Sequence, residues 1–108
     1  MKNILIIGCG LIGSSVLRAA YAQSAAKNIY IYEKSKKNIS IIKKLRVTYK
    51  IINNLENISI NFDLVILCIP MSQYSSIVLK INKFLTSKTI VTDVGSTKEL
   101  NFNKVKKQ

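Results

Sequence analysis

Gly8-Cys9-Gly10-Leu11-Ile12-Gly13 directly follows the apolar run Ile4 to Ile7. Its glycines have the spacing of the G-x-G-x-x-G dinucleotide fingerprint: the first allows a tight turn, the second leaves room for a pyrophosphate, and the third lets a helix pack against the sheet. The helix that begins at Leu11 and Ile12 is expected to direct free N–H groups and its positive dipole end at the phosphates. The stretch therefore predicts a strand, a glycine loop and a helix that together bind a dinucleotide.

Apolar periodicity alternates between strand and helix along the whole chain. Continuous apolar strands alternating with helices are typical of a parallel sheet covered on both faces. The sequence therefore predicts an α/β domain over residues 1–108: a Rossmann-type doubly wound parallel sheet of about five strands, with helices on both faces and incomplete at its C-terminal end. The predicted strands are 3–7, 28–32, 49–52, 64–69 and 89–94, and the predicted helices are 11–22, 73–84 and a lysine-rich helix capped by Ser35.

The composition is strongly basic, with 17 Lys and Arg against 5 Asp and Glu and a net charge of +12 over 108 residues. The lysines are spread among isoleucines and asparagines, and aromatic residues do not alternate with them as in a stacking platform. We therefore expect no specific nucleic-acid partner. No run approaches the ~20 apolar residues of a membrane helix, and the run before Cys9 is below the ~7 to 15 residues of a signal-peptide core. The expectation is a cytoplasmic protein without membrane attachment.

Two cysteines and no histidine limit the metal and redox chemistry of the chain. Cys9 and Cys68 fall at the ends of strands that we expect to be neighbours, so a disulfide between them is conceivable. The reducing cytosol and the common packing role of small buried cysteines favour two thiols instead. Two cysteines without histidine are too few ligands for zinc, and we expect no metal site.

Four segments whose residues could bind or react with a ligand fall at the carboxyl ends of predicted strands, where doubly wound sheets bind ligands. They are the glycine loop, Glu33, residues 68–73 (CIPMSQ) and residues 93–98 (DVGSTK). Glu33, twenty positions after Gly13, is placed to accept hydrogen bonds from ribose hydroxyls; alternatively, it is an ordinary exposed acid that begins a loop. Its charge would repel a 2′-phosphate and favours NAD over NADP, whereas the lysines at 34, 36 and 37 could hold that phosphate.

Ser96 has two interpretations. Ser96-Thr97-Lys98-Glu99 has the pattern of a capping box, in which the serine oxygen and the glutamate satisfy each other's backbone N–H groups. The same hydroxyl lies at the predicted ligand rim, where it could hydrogen-bond a substrate hydroxyl. Both roles are compatible with one side chain, and Asp93 is either a further rim residue or a strand-end residue that bonds the turn.

GCGLIGSS, the strand ending in CIPMSQ and above all DVGSTK resemble the nucleotide-binding half of prephenate and arogenate dehydrogenases, over nearly the whole chain. The resemblance implies NAD(P)-dependent oxidation of the ring hydroxyl of prephenate or arogenate with loss of carbon dioxide, on the route to tyrosine. It implies that Ser96 contacts the substrate hydroxyl and that the glycine loop and Glu33 bind the cofactor. Ile69 and Pro70 would border the nicotinamide ribose.

The chain departs from the family pattern where the family has a catalytic histidine and a helical domain that forms the dimer and completes the substrate pocket. It contains no histidine and ends before either feature. Loss of a general base costs about 10²- to 10⁴-fold in rate. One hypothesis is therefore the cofactor-binding part of a dehydrogenase completed by a separate chain, and the alternative is a truncated, non-catalytic nucleotide-binding remnant. A reductase of imines or 3-hydroxy acids is a third reading, against which DVGSTK argues.

Overall fold

One sheet of five parallel strands organises the part of the chain that the structure, a computed structural model, describes: residues 1–8, 10–56 and 58–93. The strands are β1 (Asn3–Ile7), β2 (Asn28–Tyr32), β3 (Lys50–Ile52), β4 (Leu64–Leu67) and β5 (Ile90–Asp93). Their order across the sheet is β3-β2-β1-β4-β5, and each neighbouring pair is parallel. The chain direction across the sheet reverses between β1 and β4, which is the point where doubly wound folds bind ligands. The predicted fold class is confirmed.

Three helices connect these strands: α1 (Leu11–Ala22), α2 (Lys36–Lys43) and α3 (Tyr74–Ile81). Ser35 caps α2 as predicted, because its hydroxyl accepts the Asn38 N–H at 3.3 Å. The prediction of one helix over 73–84 was too long. Single 3₁₀ turns, Met71–Gln73 and Asn82–Phe84, flank α3, and the first begins with a hydrogen bond from the Gln73 N–H to the Pro70 carbonyl at 2.9 Å.

Alternate side chains of β1 divide the core into two layers. Ile4 and Ile6 pack with Leu17 and Ile42 on the face covered by α1 and α2, whereas Leu5, Ile7 and their neighbours pack against α3 on the other face. The four β1 side chains are almost completely buried, at 0–1% exposure. Because both faces of the strand are covered, each of these side chains contributes about 1.5–3 kcal/mol of burial free energy.

Three strand boundaries differ slightly from the sequence prediction. β3 begins at Lys50 rather than 49, and β4 ends at Leu67 rather than 69. The Cys68 N–H still donates to the Ile7 carbonyl at 2.8 Å, after which the chain turns away towards Pro70, which has no N–H for a further ladder bond. β5 begins at Ile90, and the predicted end at 94 lies outside the described residues.

Polar side chains join the amino ends of β1, β2 and β4. The Asp63 carboxylate accepts the N–H groups of Lys2 and Asn3, each at 2.8 Å. The Asn3 amide donates to the Asn61 carbonyl at 3.0 Å and accepts from the Asn28 amide at 3.0 Å. These bonds fix the strands in register at the edge opposite the glycine loop.

Candidate functional site

Gly8 makes the turn out of β1 in a conformation that other residues adopt only with strain. Its φ is +85°, and its N–H donates to the Tyr32 carbonyl at 2.8 Å. A Cβ at this position would lie 2.6 Å from the Cys68 carbonyl oxygen and 2.8 Å from Cγ2 of Ile69. Gly8 is therefore the glycine that lets the ends of β1 and β4 approach each other.

Gly13 and Gly10 serve two different purposes in the same loop. A Cβ on Gly13 would overlap the Gly8 carbonyl oxygen, so the absent side chain lets α1 pack against the turn. A Cβ on Gly10 would meet only Nδ2 of Asn38, at 3.9 Å, which is an ordinary contact distance. The protein's own packing therefore requires glycine at 8 and 13 but not at 10. The space beside Gly10 has the character expected of a position that a ligand approaches.

The amino end of α1 opens onto a cavity at the carboxyl edge of the sheet. Gly10 is the N-cap residue, and among the described residues no side chain caps the helix. A cavity of about 620 Å³ lies in front of it, lined by residues 10–13 of the glycine loop, residues 67–71 after β4, and Tyr74. Leu11 and Ile12 expose 86% and 63% of their side chains at this point. Unpaired N–H groups and a positive dipole end make such a helix terminus suited to an anionic group.

Glu33 lies on the other side of Gly8, beside a smaller cavity of about 120 Å³. Its two carboxylate oxygens accept the Ser35 N–H at 2.9 Å and the Asn38 amide at 3.2 Å, so the side chain is held in one orientation. Ile69 lines both cavities. The acid and the glycine loop are thus neighbours along one rim, with Ile69 between the two spaces.

The structure brings together most of the residues that the sequence singled out. Ile69 and Pro70 line the larger cavity with the loop residues Gly10 to Gly13, and Gly8 and Glu33 line the smaller one. Whether any of them binds a cofactor stays a prediction. Ser96 lies outside the described residues. So does Cys9, the cysteine that could form a disulfide with Cys68. Asp93 ends β5 on the same edge of the sheet.

Two rim residues were missed by sequence reasoning. Tyr74 lines the larger cavity, and its pKa is raised above 10.0 by burial, then by the nearby Asp93 carboxylate and Cys68. Its position four residues after Pro70, at the start of the helix that follows β4, is the signal that could have found it. Asn38, three residues after the Ser35 cap, contacts Glu33. The sequence carried no signal for this contact, because a capping box has Glu or Gln three residues after the cap and this helix has Asn.

Two other classes of site are absent from the described residues. No group of three or more His, Cys, Asp or Glu side chains has an arrangement that could hold a metal ion there. In the same ranges no helix has the length and apolar character needed to cross a membrane.

A family model for the nucleotide-binding domain of prephenate dehydrogenase matches residues 17–108. The chain belongs to this family. The match begins within α1, after the glycine loop, so the loop geometry is evidence separate from the family match. Membership makes the five-stranded sheet a nucleotide-binding domain and confirms the resemblance seen in the sequence motifs.

Individual relatives agree with this assignment. The chain is 31% identical over 97 residues to a cyclohexadienyl dehydrogenase of Zymomonas mobilis, covering 90% of this chain and 33% of that protein. A crystal structure of prephenate dehydrogenase from A. aeolicus, in complex with hydroxyphenyl propionate and NAD+, aligns with a TM-score of 0.77 at 26% identity, over 90% of this chain and 34% of that one. Synechocystis arogenate dehydrogenase shares the fold, with a TM-score of 0.67 at 22% identity, over 89% and 34%. The chain spans about a third of the length of these relatives.

Proposed function

We propose that the chain is the cofactor-binding portion of an NAD(P)-dependent oxidoreductase of the prephenate or arogenate dehydrogenase type, which acts in tyrosine biosynthesis. The observation that carries the proposal is the uncapped amino end of α1, which faces a cavity of about 620 Å³ beside a glycine that the fold itself does not need. The family match and the relatives' names support the same reaction type.

The proposal assigns each half of the dinucleotide to one cavity. The pyrophosphate would lie against Gly10 and the N–H groups of Leu11, Ile12 and Gly13, where the helix dipole favours negative charge. The adenosine ribose would lie beside Glu33, and the nicotinamide half would occupy the larger cavity, bordered by Ile69 and Pro70. This arrangement requires the ligand to pass Gly8, where a side chain is sterically excluded.

NAD is the proposed cofactor in preference to NADP. Glu33 accepts two hydrogen bonds from its own chain, and its charge lies at the rim where a 2′-phosphate would come. The exposed Lys34, Lys36 and Lys37 nearby are the competing feature, because they could neutralise that phosphate. Lys34 lies with its Nζ 6.0 Å from the centre of the Tyr32 ring, which directs its charge towards the end of β2.

Catalysis would require groups beyond the described rim. The nicotinamide supplies the hydride acceptor for oxidation of the ring hydroxyl, which is accompanied by loss of carbon dioxide. We propose that Ser96 contacts that hydroxyl. A general base must take its proton, and the 108 residues contain no histidine for that task. The proposal therefore places the base and the helical substrate domain on a further segment or a partner chain.

Fluorescence titration of NADH against the purified chain tests the binding claim. Wild type is expected to bind and Gly10→Asp to lose binding, because the new carboxylate would fill and charge the proposed phosphate position. Ser40→Ala, on the exposed face of α2, is the control and should bind like wild type. Equal affinity of Gly10→Asp and wild type would remove the glycine loop from the site. The same preparation is expected to show no prephenate oxidation by itself.

The absence of histidine from the sequence also favours a second candidate, a nucleotide-binding module without turnover. Sequencing the DNA that follows this coding region discriminates between the two. A frame that encodes a histidine-bearing strand and a helical domain supports the dehydrogenase. Recovery of prephenate oxidation when that polypeptide is added would establish it, and continued inactivity would favour the module.

A further inference from the structure

Asn38 lies between Glu33 and the glycine loop of the proposed nucleotide site, although it belongs to none of the four segments singled out in the sequence. It is in the first turn of α2, where its backbone N–H donates to the Ser35 hydroxyl at 3.3 Å. Its side-chain amide donates to Oε2 of Glu33 at 3.2 Å. The same amide nitrogen is the nearest atom to the position of a Cβ on Gly10, at 3.9 Å. One side chain thus touches the acid and borders the glycine loop.

The contact with Asn38 restricts the orientation of Glu33. The Ser35 N–H holds Oε1 at 2.9 Å while the Asn38 amide holds Oε2, so both ends of the carboxylate are fixed. Hydrogen bonds to an ionised acceptor are stronger than neutral ones, and a carboxylate offers about four acceptor positions. A fixed carboxylate that accepts from Ser35 and Asn38 is therefore compatible with further donors such as a ribose diol.

We propose that Asn38 is a positioning residue that sets the discrimination between a ribose 2′-hydroxyl and a ribose 2′-phosphate. It acts through Glu33, by keeping the negative charge at the rim where the diol would be accepted and the phosphate repelled. This inference rests on the proposed nucleotide site. Without the amide, Glu33 would turn about its side-chain torsions towards solvent or towards the neighbouring lysines, and the repulsion would weaken together with the hydrogen bonds to the diol.

The backbone and side chain of Asn38 have separable roles. The helix cap uses the backbone N–H, which alanine retains, whereas the contact with Glu33 uses the side-chain amide, which alanine lacks. Asn38→Ala therefore removes the positioning contact and leaves the cap bond. Ser40→Ala is the matched control, because Ser40 is exposed on the same helix.

The test compares dissociation constants for NADH and NADPH, measured by fluorescence in wild type, Asn38→Ala, Ser40→Ala, Glu33→Gln and the double variant Asn38→Ala/Glu33→Gln. We expect wild type and Ser40→Ala to prefer NADH equally, and Asn38→Ala to reduce that preference about three- to tenfold, the range of one charge-assisted hydrogen bond that water partly replaces. In the Glu33→Gln background, removal of Asn38 should change the preference no further, because the charge it positions is gone.

The outcomes separate this inference from the function on which it rests. If wild type binds both nucleotides and Asn38→Ala leaves their ratio unchanged, the positioning role is overturned while the nucleotide site stands. A ratio that falls by the same factor with and without Glu33 also overturns it, since Asn38 would then act directly or through the fold. If wild type binds neither nucleotide, the proposed function fails and this inference fails with it.

Discussion

Alanine at each of the three loop glycines should separate the needs of the fold from the needs of a ligand. At Gly8 the left-handed φ of +85° costs a residue with a Cβ about 1–2 kcal/mol, and forcing that Cβ against the Cys68 carbonyl, 2.6 Å away, costs about 1–3 kcal/mol more. We expect Gly8→Ala to lower the free energy of unfolding by about 2–5 kcal/mol. That is a large part of the ~5–15 kcal/mol typical of a domain. Gly13→Ala should be similarly damaging, because its Cβ would overlap the Gly8 carbonyl oxygen.

Gly10→Ala should behave differently. Its Cβ would lie 3.9 Å from Nδ2 of Asn38, so no clash is expected. The poorer N-cap preference of alanine costs about 0.5–1 kcal/mol, and the loss of unfolded-state freedom offsets about 0.4–1 kcal/mol of this. The net change in stability should stay below about 1 kcal/mol. Nucleotide affinity should nevertheless fall, because the methyl group enters the space beside the proposed pyrophosphate.

Thermal unfolding followed by circular dichroism at 222 nm, with urea unfolding for the free energies, measures all three variants against wild type. Since about 1 kcal/mol shifts the midpoint of a domain this size by roughly 4–8 °C, Gly8→Ala and Gly13→Ala should unfold at least about 10 °C below wild type. Gly10→Ala should unfold within a few degrees of it. Equal midpoints for Gly8→Ala and Gly10→Ala would refute the conclusion that the fold needs glycine at position 8 but not at position 10. A Gly8→Ala protein as stable as wild type would refute it as well.

Three further measurements probe the sheet edge opposite the site, the core and the rim. Asp63→Ala should lower the free energy of unfolding by about 1–3 kcal/mol, measured in urea, because it leaves the N–H groups of Lys2 and Asn3 without their carboxylate. Ile42→Ala should lower the free energy of unfolding by about 2–5 kcal/mol, since Ile42 is the fully buried residue of α2. Lys43→Ala, at an exposed position of the same helix, should change it by no more than about 0.5 kcal/mol, and equal effects would contradict the packing described. Because the pKa of Tyr74 is raised in the folded state, the folded protein keeps this proton to a higher pH than the unfolded chain does, so the free energy of unfolding falls as pH rises above about 10. Tyr74→Phe should lessen that fall, measured by urea unfolding across this pH range.

The first third of the fold could be predicted from the sequence almost to the residue. β1, α1 and β2 have the predicted bounds because uninterrupted apolar runs and glycines restrict the backbone there on their own. The alternation of strands and helices also predicted that the candidate site residues lie together at the carboxyl ends of the strands. Gly8 and Gly13 have the turn and packing roles that the fingerprint predicts for its first and third glycines, and Gly10 has the open space predicted for the second.

The parts that could not be predicted are local details that the pattern of residue types does not determine. α3 is shorter than predicted at both ends, because the chain after Pro70 and after Ile81 adopts 3₁₀ turns. The spacing of apolar residues does not distinguish an α-helical turn from a 3₁₀ turn at a helix end. Asn38 reads as a polar residue in a lysine-rich helix. Its contact with Glu33 is formed in the turn between β2 and α2, where the Ser35 hydroxyl also accepts the Asn38 N–H.

The steric constraint at Gly8 and the proposed ligand path have one origin. β1 and β4 are adjacent, and the Cys68 carbonyl after β4 fills the space that a side chain on Gly8 would need. The adjacency of β1 and β4 also places Ile69 where it lines both cavities. In the proposed site, an extended ligand at the reversal of the strand order would lie over Gly8 and Ile69, with one end towards α1 and the other towards Glu33. A dinucleotide has that form, with an anionic centre and two separate ring systems, whereas a compact ligand would contact only one of the two cavities.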